Sequence, residues 1–246
     1  MLDPRPKGAI QTVAGTGLPG TVELTTRRTV TAATWTWPSL GGLRHRRLAA
    51  PEIRRRLLHM LPGLLPFVLW FIPHPDPWGP ILADVVLLLT VAIVGPALIR
   101  FSAFARPGER DGRSSVLGYA LPILAALCLF RGREELGMMT LAILAFGDGS
   151  ATLGGMLIGG RRLPWNYEKS WTGLACFLVV GGTMATLVFW GESRPAVTWT
   201  QAALVAGGAT LIAAIAESVR SRINDNLRVG VISLVVGAVL QALVIS

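Results

Sequence analysis

Only two of the 246 residues are cysteine, and Cys128 and Cys176 stand far apart with no neighbouring His or Cys. That excludes a disulfide framework and offers no metal-binding spacing, so both are expected to be buried apolar packing residues. Charge is also scarce, at 15% of the chain against 52% hydrophobic. The apolar residues come in long runs instead of alternating along amphipathic faces. This excludes an ordinary soluble domain and predicts a polytopic membrane protein. No apolar stretch suited to a cleavable signal peptide follows the first basic positions, so none is expected. A Walker A loop is missing too: Lys169-Ser170 is preceded by Glu168 where that motif needs Gly, which excludes ATP binding by a P-loop.

What is present is membrane-like. Windows of about 20 apolar residues pick out seven candidate spans. They run from Leu57 to Pro73, Pro80 to Phe101, Val116 to Phe130, Leu136 to Ile158, Trp171 to Trp190, Thr200 to Val219 and Leu227 to Ile245. Only helices satisfy their backbone groups across lipid in a single chain of this hydropathy. The expected fold is therefore an all-α transmembrane bundle, with residues 51–246 as its catalytic domain. Residues 1–50, rich in Thr, Gly, Ala and Pro, read as a mobile cytosolic tail or as a start codon assigned too early.

Sixteen basic residues lie in the arm from Arg44 to Arg56 or in the second, fourth and sixth loops, while the opposite side has only Arg131, Arg133 and Arg194. Cytoplasmic loops retain positive charge, so the N-terminus is expected in the cytosol and Ser246 outside. A bacterial inner membrane is the expected setting. Topology and anionic headgroups account for most of the formal charge of +9, without nucleic acid. No protein partner is implied.

Against this background a few polar residues are conspicuous. Asp148 lies inside the uncharged stretch Leu136 to Gly160. A carboxylate at that depth costs roughly 2.5 to 3.5 kcal/mol, so it is expected to have a task or a structural partner on a neighbouring span. Lysine occurs twice, as Lys7 and Lys169, against 21 arginines. Lys169 offers a compact charge suited to a nucleotide phosphate, or simply snorkels from a helix start. Past Leu136 the only other acids are Glu168, Glu192, Glu217 and Asp225. Glu217 has Arg220 at i+3 as an alternative partner, and Asp225 is placed to cap the last helix. The glycines between 147 and 160 allow close helix packing, and those at 147 and 149 also free backbone N–H groups for an anion.

Gly147-Asp148-Gly149-Ser150-Ala151, then Leu163-Pro164-Trp165-Asn166 and Lys169-Ser170-Trp171-Thr172-Gly173, resemble the signature of the phytol, farnesol and dolichol kinase family. Glu217-Ser218 followed by Asp225-Asn226-Leu227 resembles the family's Glu-Ser and Asp-Asp-Asn-Leu elements, and Arg55 or Arg56 with His59 resembles its early Arg-Lys-x-x-His. The resemblance implies a membrane enzyme that uses CTP and Mg²⁺ to phosphorylate a lipid alcohol at the cytosolic face. By it, Asp148 and Asp225 carry the metal, and Asp148, Lys169, Glu217 and Asp225 are the catalytic set. Gly147, Gly149, Lys169, Ser170 and Asn226 hold the nucleotide, with His59, Arg56, Asn166, Trp171 and Gly173 alongside. Glu217 is a further metal ligand or the base for the alcohol, and His59 is a contributor or an interfacial residue. The chain departs from the pattern at Thr152, Met156, Asn224 and Gly230. The rival readings are a cytidylyltransferase acting on a lipid phosphate and an ion-coupled transporter. No second copy of the Gly-Asp-Gly segment supports the transporter.

Overall fold

The computed structural model describes residues 50–70 and 113–245, with isolated positions between 81 and 100. The expected tail over 1–50 and most of the second expected span lie outside the described residues. Helix α1 (Ala50–Met60) passes through a 3₁₀ turn (Leu61–Leu64) into the short α2 (Leu65–Leu69). Pro62 and Pro66 each sit in the first turn of their segment, where no intrahelical N–H is required. Then come α3 (Arg113–Leu129), α4 (Glu134–Leu157), α5 (Trp171–Glu192), α6 (Trp199–Ser218) and α7 (Asp225–Val244). Four of these, α4 to α7, are long and apolar enough to cross a membrane.

Helix α4 is the central post. Its apolar window is 89% buried inside the protein, against 44%, 39% and 33% for α5, α6 and α7. The outer helices turn Leu204, Leu211, Ile215, Val231, Val235, Val239 and Leu243 outward. In water such a surface would favour aggregation, whereas hydrocarbon is the solvent it matches.

Close approach to α4 depends on small residues. A Cβ on Gly181 of α5 would lie 2.8 Å from the Cα of Gly147, and one on Gly147 would lie 2.8 Å from the Phe177 ring. Three helices also widen to π-type turns, over Ile143–Asp148, Phe177–Gly181 and Ala203–Gly207. The first ends on Asp148, a placement common where a side chain must be re-aimed. Gly181→Leu is expected to lower the melting temperature sharply or abolish the monodisperse peak in fluorescence-detected size exclusion, because overpacking costs about 1–3 kcal/mol or more. Gly207→Ala, where a Cβ meets nothing within 4 Å, is expected to leave both unchanged.

Two expectations are corrected. The fold is mostly helical but not purely so, because the basic loop after α4 is an antiparallel hairpin of β1 (Arg162–Leu163) and β2 (Asn166–Ser170). Gly159 and Gly160 end α4 at φ 76° and 114°, values side chains resist, and Pro164-Trp165 makes the tight turn. Cys128 is exposed on its apolar helix, not buried, and Cys176 is half-buried; both are free thiols. Apolar surroundings in lipid do not require burial inside the protein.

Candidate active site

At the end of the bundle where α6 stops and α7 starts, the hairpin folds back across both. Trp165 donates from Nε1 to Ser218 Oγ at 3.1 Å, and Asn166 Nδ2 donates to the Ser218 carbonyl at 3.0 Å. These bonds pin the hairpin to the last turn of α6 and set Lys169 beside the carboxylates there. Lys169 Nζ donates to Glu217 Oε1 and lies 3.7 Å from Asp225 Oδ2. Glu217 is almost wholly buried, and Asp225 is more open. Burial alone would lower the Lys169 pKa, but Glu217, Asp148 and Asp225 outweigh it and hold the ammonium above the ordinary lysine value. Lys169 therefore stays charged through the neutral range.

Asp148 occupies the adjoining position on α4. Its Oδ2 lies 3.1 Å from His59 Nε2 and 3.5 Å from Arg56 Nη1, both from α1. Tyr119 on α3 donates its hydroxyl to the His59 carbonyl at 3.0 Å, and its ring stands perpendicular to the imidazole at 5.0 Å. The Asp148 charge also acts on Lys169 and Glu217, so the two groups form one electrostatic unit. Residues that sequence separates widely, Arg56, His59, Asp148, Lys169, Glu217 and Asp225, meet at one place.

Several alternatives left open by the sequence are thereby decided. His59 is buried against Asp148 instead of lying at an interface. Glu217 pairs with Lys169, while Arg220 reaches Glu168 at 3.8 Å on the exposed surface. The cap of α7 is Asn224, whose Oδ1 accepts from the Asn226 and Leu227 amides at 2.9 and 3.4 Å, leaving the Asp225 carboxylate for Lys169 and Arg228. The departure at Asn224 thus supplies a good N-cap.

Other expected residues have local duties. Ser170 caps α5 by accepting from Gly173 N at 3.1 Å, and a Cβ on Gly173 would strike the Ala151 carbonyl at 2.7 Å. Asn226 is buried beside Asp225. Trp171 is half-exposed, edge-on to Trp165 at 5.5 Å. At the glycines expected to cradle an anion, Gly149 N–H donates to the Ala145 and Phe146 carbonyls, and Gly147 and Gly149 pack against Phe177 and Met60. In a continuous helix the amides have no donors to spare.

The chain is 28% identical over 213 residues to the "Probable phytol kinase, chloroplastic" of Zea mays, covering 80% of this chain and 70% of the relative. It is 28% identical over 203 residues to the "Probable phytol kinase 1, chloroplastic" of Oryza sativa, covering 76% and 64%. With the "Phytol kinase 1, chloroplastic" of Arabidopsis thaliana it shares 26% identity over 204 residues, covering 78% and 67%. The chain is a homologue of the phytol kinases. The family resemblance carried by its motifs is thus borne out by similarity along most of the chain. No family model matches, and no solved structure matches. The named relatives are chloroplastic, so they lend no support to a bacterial inner membrane for this phytol kinase homologue.

Among the described residues of the homologue, no group of three or more His, Cys, Asp or Glu could by itself hold a metal ion. Its carboxylates are interleaved with cations, Asp148 with Arg56 and His59, Asp225 with Lys169 and Arg228. This donor set does not fit a closed protein cage. It does fit a hard divalent ion that takes one or two carboxylate oxygens and receives the rest from phosphates and water.

One site residue escaped the sequence reading. Arg228 was counted among the arginines that set topology, yet its Nη2 lies 3.0 Å from Asp225 Oδ1 and 3.5 Å from the Glu217 carbonyl. The signal was its i+3 spacing from Asp225.

Proposed function

We propose that this protein is an integral membrane kinase that transfers the γ-phosphate of CTP to a polyprenol-type lipid alcohol such as phytol, geranylgeraniol or a dolichol-like chain. The observation that carries the reading is Lys169 set between Glu217 and Asp225, beside Asp148 with its His59 and Arg56 partners. Phosphoryl transfer demands positioning and charge neutralisation more than covalent participation by the protein, and this cluster supplies both signs of charge.

In this reading Asp225 and Asp148 would hold Mg²⁺, which would supply charge neutralisation to the donor's phosphates. Lys169 turns from Glu217 to the phosphates. Glu217, relieved of its partner, accepts the hydroxyl proton as the alcohol oxygen bonds to the γ-phosphorus. The bond from that phosphorus to the β–γ bridging oxygen breaks, and CDP departs. Ser170 and Asn226 keep Lys169 and Asp225 in register. The excess of arginine before the first expected span and in alternate loops supports a cytosolic N-terminus and a site at the cytosolic face, with the lipid tail lying between helices.

The test is reconstitution of the purified protein with Mg²⁺ and labelled CTP, against phytol, geranylgeraniol, undecaprenol and diacylglycerol. The expected result is γ label on at least one alcohol with release of CDP. Transfer of α label to a lipid phosphate would make it a cytidylyltransferase, and proton-coupled uptake by liposomes without lipid product a transporter. Either result overturns the proposal.

A further inference from the structure

Asp225 and the three charges around it form a chain: Glu217 to Lys169, Lys169 to Asp225 Oδ2, and Arg228 to Asp225 Oδ1. Asp225 thus has a cation on each of its two oxygens. One of these cations, Lys169, is already assigned to phosphate. The other is held more tightly by the fold, with its side chain 12% exposed against 28% for Lys169.

The guanidinium of Arg228 is incompletely satisfied. Nη2 serves both Asp225 and the Glu217 carbonyl, but Nε is buried and has no hydrogen-bond partner among the described residues. A buried donor without an acceptor is costly, and one kept beside a proposed phosphate site is explained if an anionic oxygen completes it. Arginine presents its donors in a rigid fork that matches phosphate oxygens, which lysine does not.

We propose that Arg228 is a second phosphate-binding residue, which grips the donor's polyphosphate opposite Lys169 with Asp225 between them. The proposal rests on the kinase reading above and names a residue that reading does not use. A helix-start ion pair with Asp225 is the competing explanation, and it gives Arg228 no effect on phosphate affinity.

The test measures binding of inorganic tripolyphosphate with Mg²⁺ to the full chain in detergent by calorimetry, for wild type, Arg228→Gln and Arg228→Lys. Arg228→Gln is expected to weaken affinity roughly 10- to 100-fold, the range for losing hydrogen bonds to a charged group. Arg228→Lys is expected to recover only part of it. In turnover assays KM for the nucleotide rises while KM for the lipid alcohol stays near wild type. If Arg228→Gln does not yield folded protein, the lysine variant decides alone, with weaker binding expected and wild-type affinity overturning the proposal. Unchanged affinity in a folded Arg228→Gln protein overturns it while leaving the kinase reading intact. A wild-type protein that binds neither tripolyphosphate nor CTP defeats that reading itself, and this proposal with it.

Discussion

Replacing Lys169 with methionine is expected to lower phosphoryl transfer by about a thousandfold, the scale on which a preorganised charge at the reacting phosphate acts. The same change strands Glu217, which is 4% exposed and bonded to Lys169. Breaking a buried pair from one side costs about 3–5 kcal/mol, and partial exposure of Lys169 puts this pair toward the lower end. Loss of activity through unfolding and loss through chemistry are separable with a second change. Lys169→Met combined with Glu217→Gln removes the stranded charge and is expected to recover most of the melting temperature without recovering turnover. A double variant that regains both would show that neither Lys169 nor Glu217, the proposed base, takes part in the chemistry. Thermal unfolding and initial rates on the same preparations make the comparison direct.

The second large effect is expected at Asp148. Asp148→Asn keeps the shape of the side chain but removes the charge that Arg56 and His59 share. Turnover is expected to fall by about two to three orders of magnitude, since a charged element of the phosphate-handling unit is lost. Folding is expected to weaken as well, because Arg56 and His59 then lose the buried Asp148 charge that they share. Combining Asp148→Asn with Arg56→Met should restore part of the stability and none of the rate, measured as loss of folded protein on heating beside label transfer from CTP. Wild-type turnover in folded Asp148→Asn would remove Asp148 from the active site.

Much of the architecture was legible because lipid leaves a chain few choices. The expected span from Trp171 to Trp190 is realised as Trp171–Glu192, and that from Leu227 to Ile245 as Asp225–Val244. Polar residues mark the ends of such helices, and backbone satisfaction forbids other structure between them. The hairpin at 162–170 was not legible. Its strands are short, lack alternating hydrophobicity, and are held by Trp165 and Asn166 reaching Ser218, a contact no local pattern encodes. The site was legible as a list of rare residues but not as a set of pairs. Scarcity singled out Asp148 and Lys169, whereas the attachment of Asp148 to Arg56 and His59 depends on how α1 crosses α4. Arg228 was hidden by abundance, one arginine among 21.

The glycines flanking Asp148 have a consequence for durability. Phe177 closes on one shoulder of the acid and Met60 on the other, each nearer than any methyl group would permit. Thin shoulders let both neighbours close on the helix beside the acid, so a bulkier residue at either glycine would push them apart before it altered any charge.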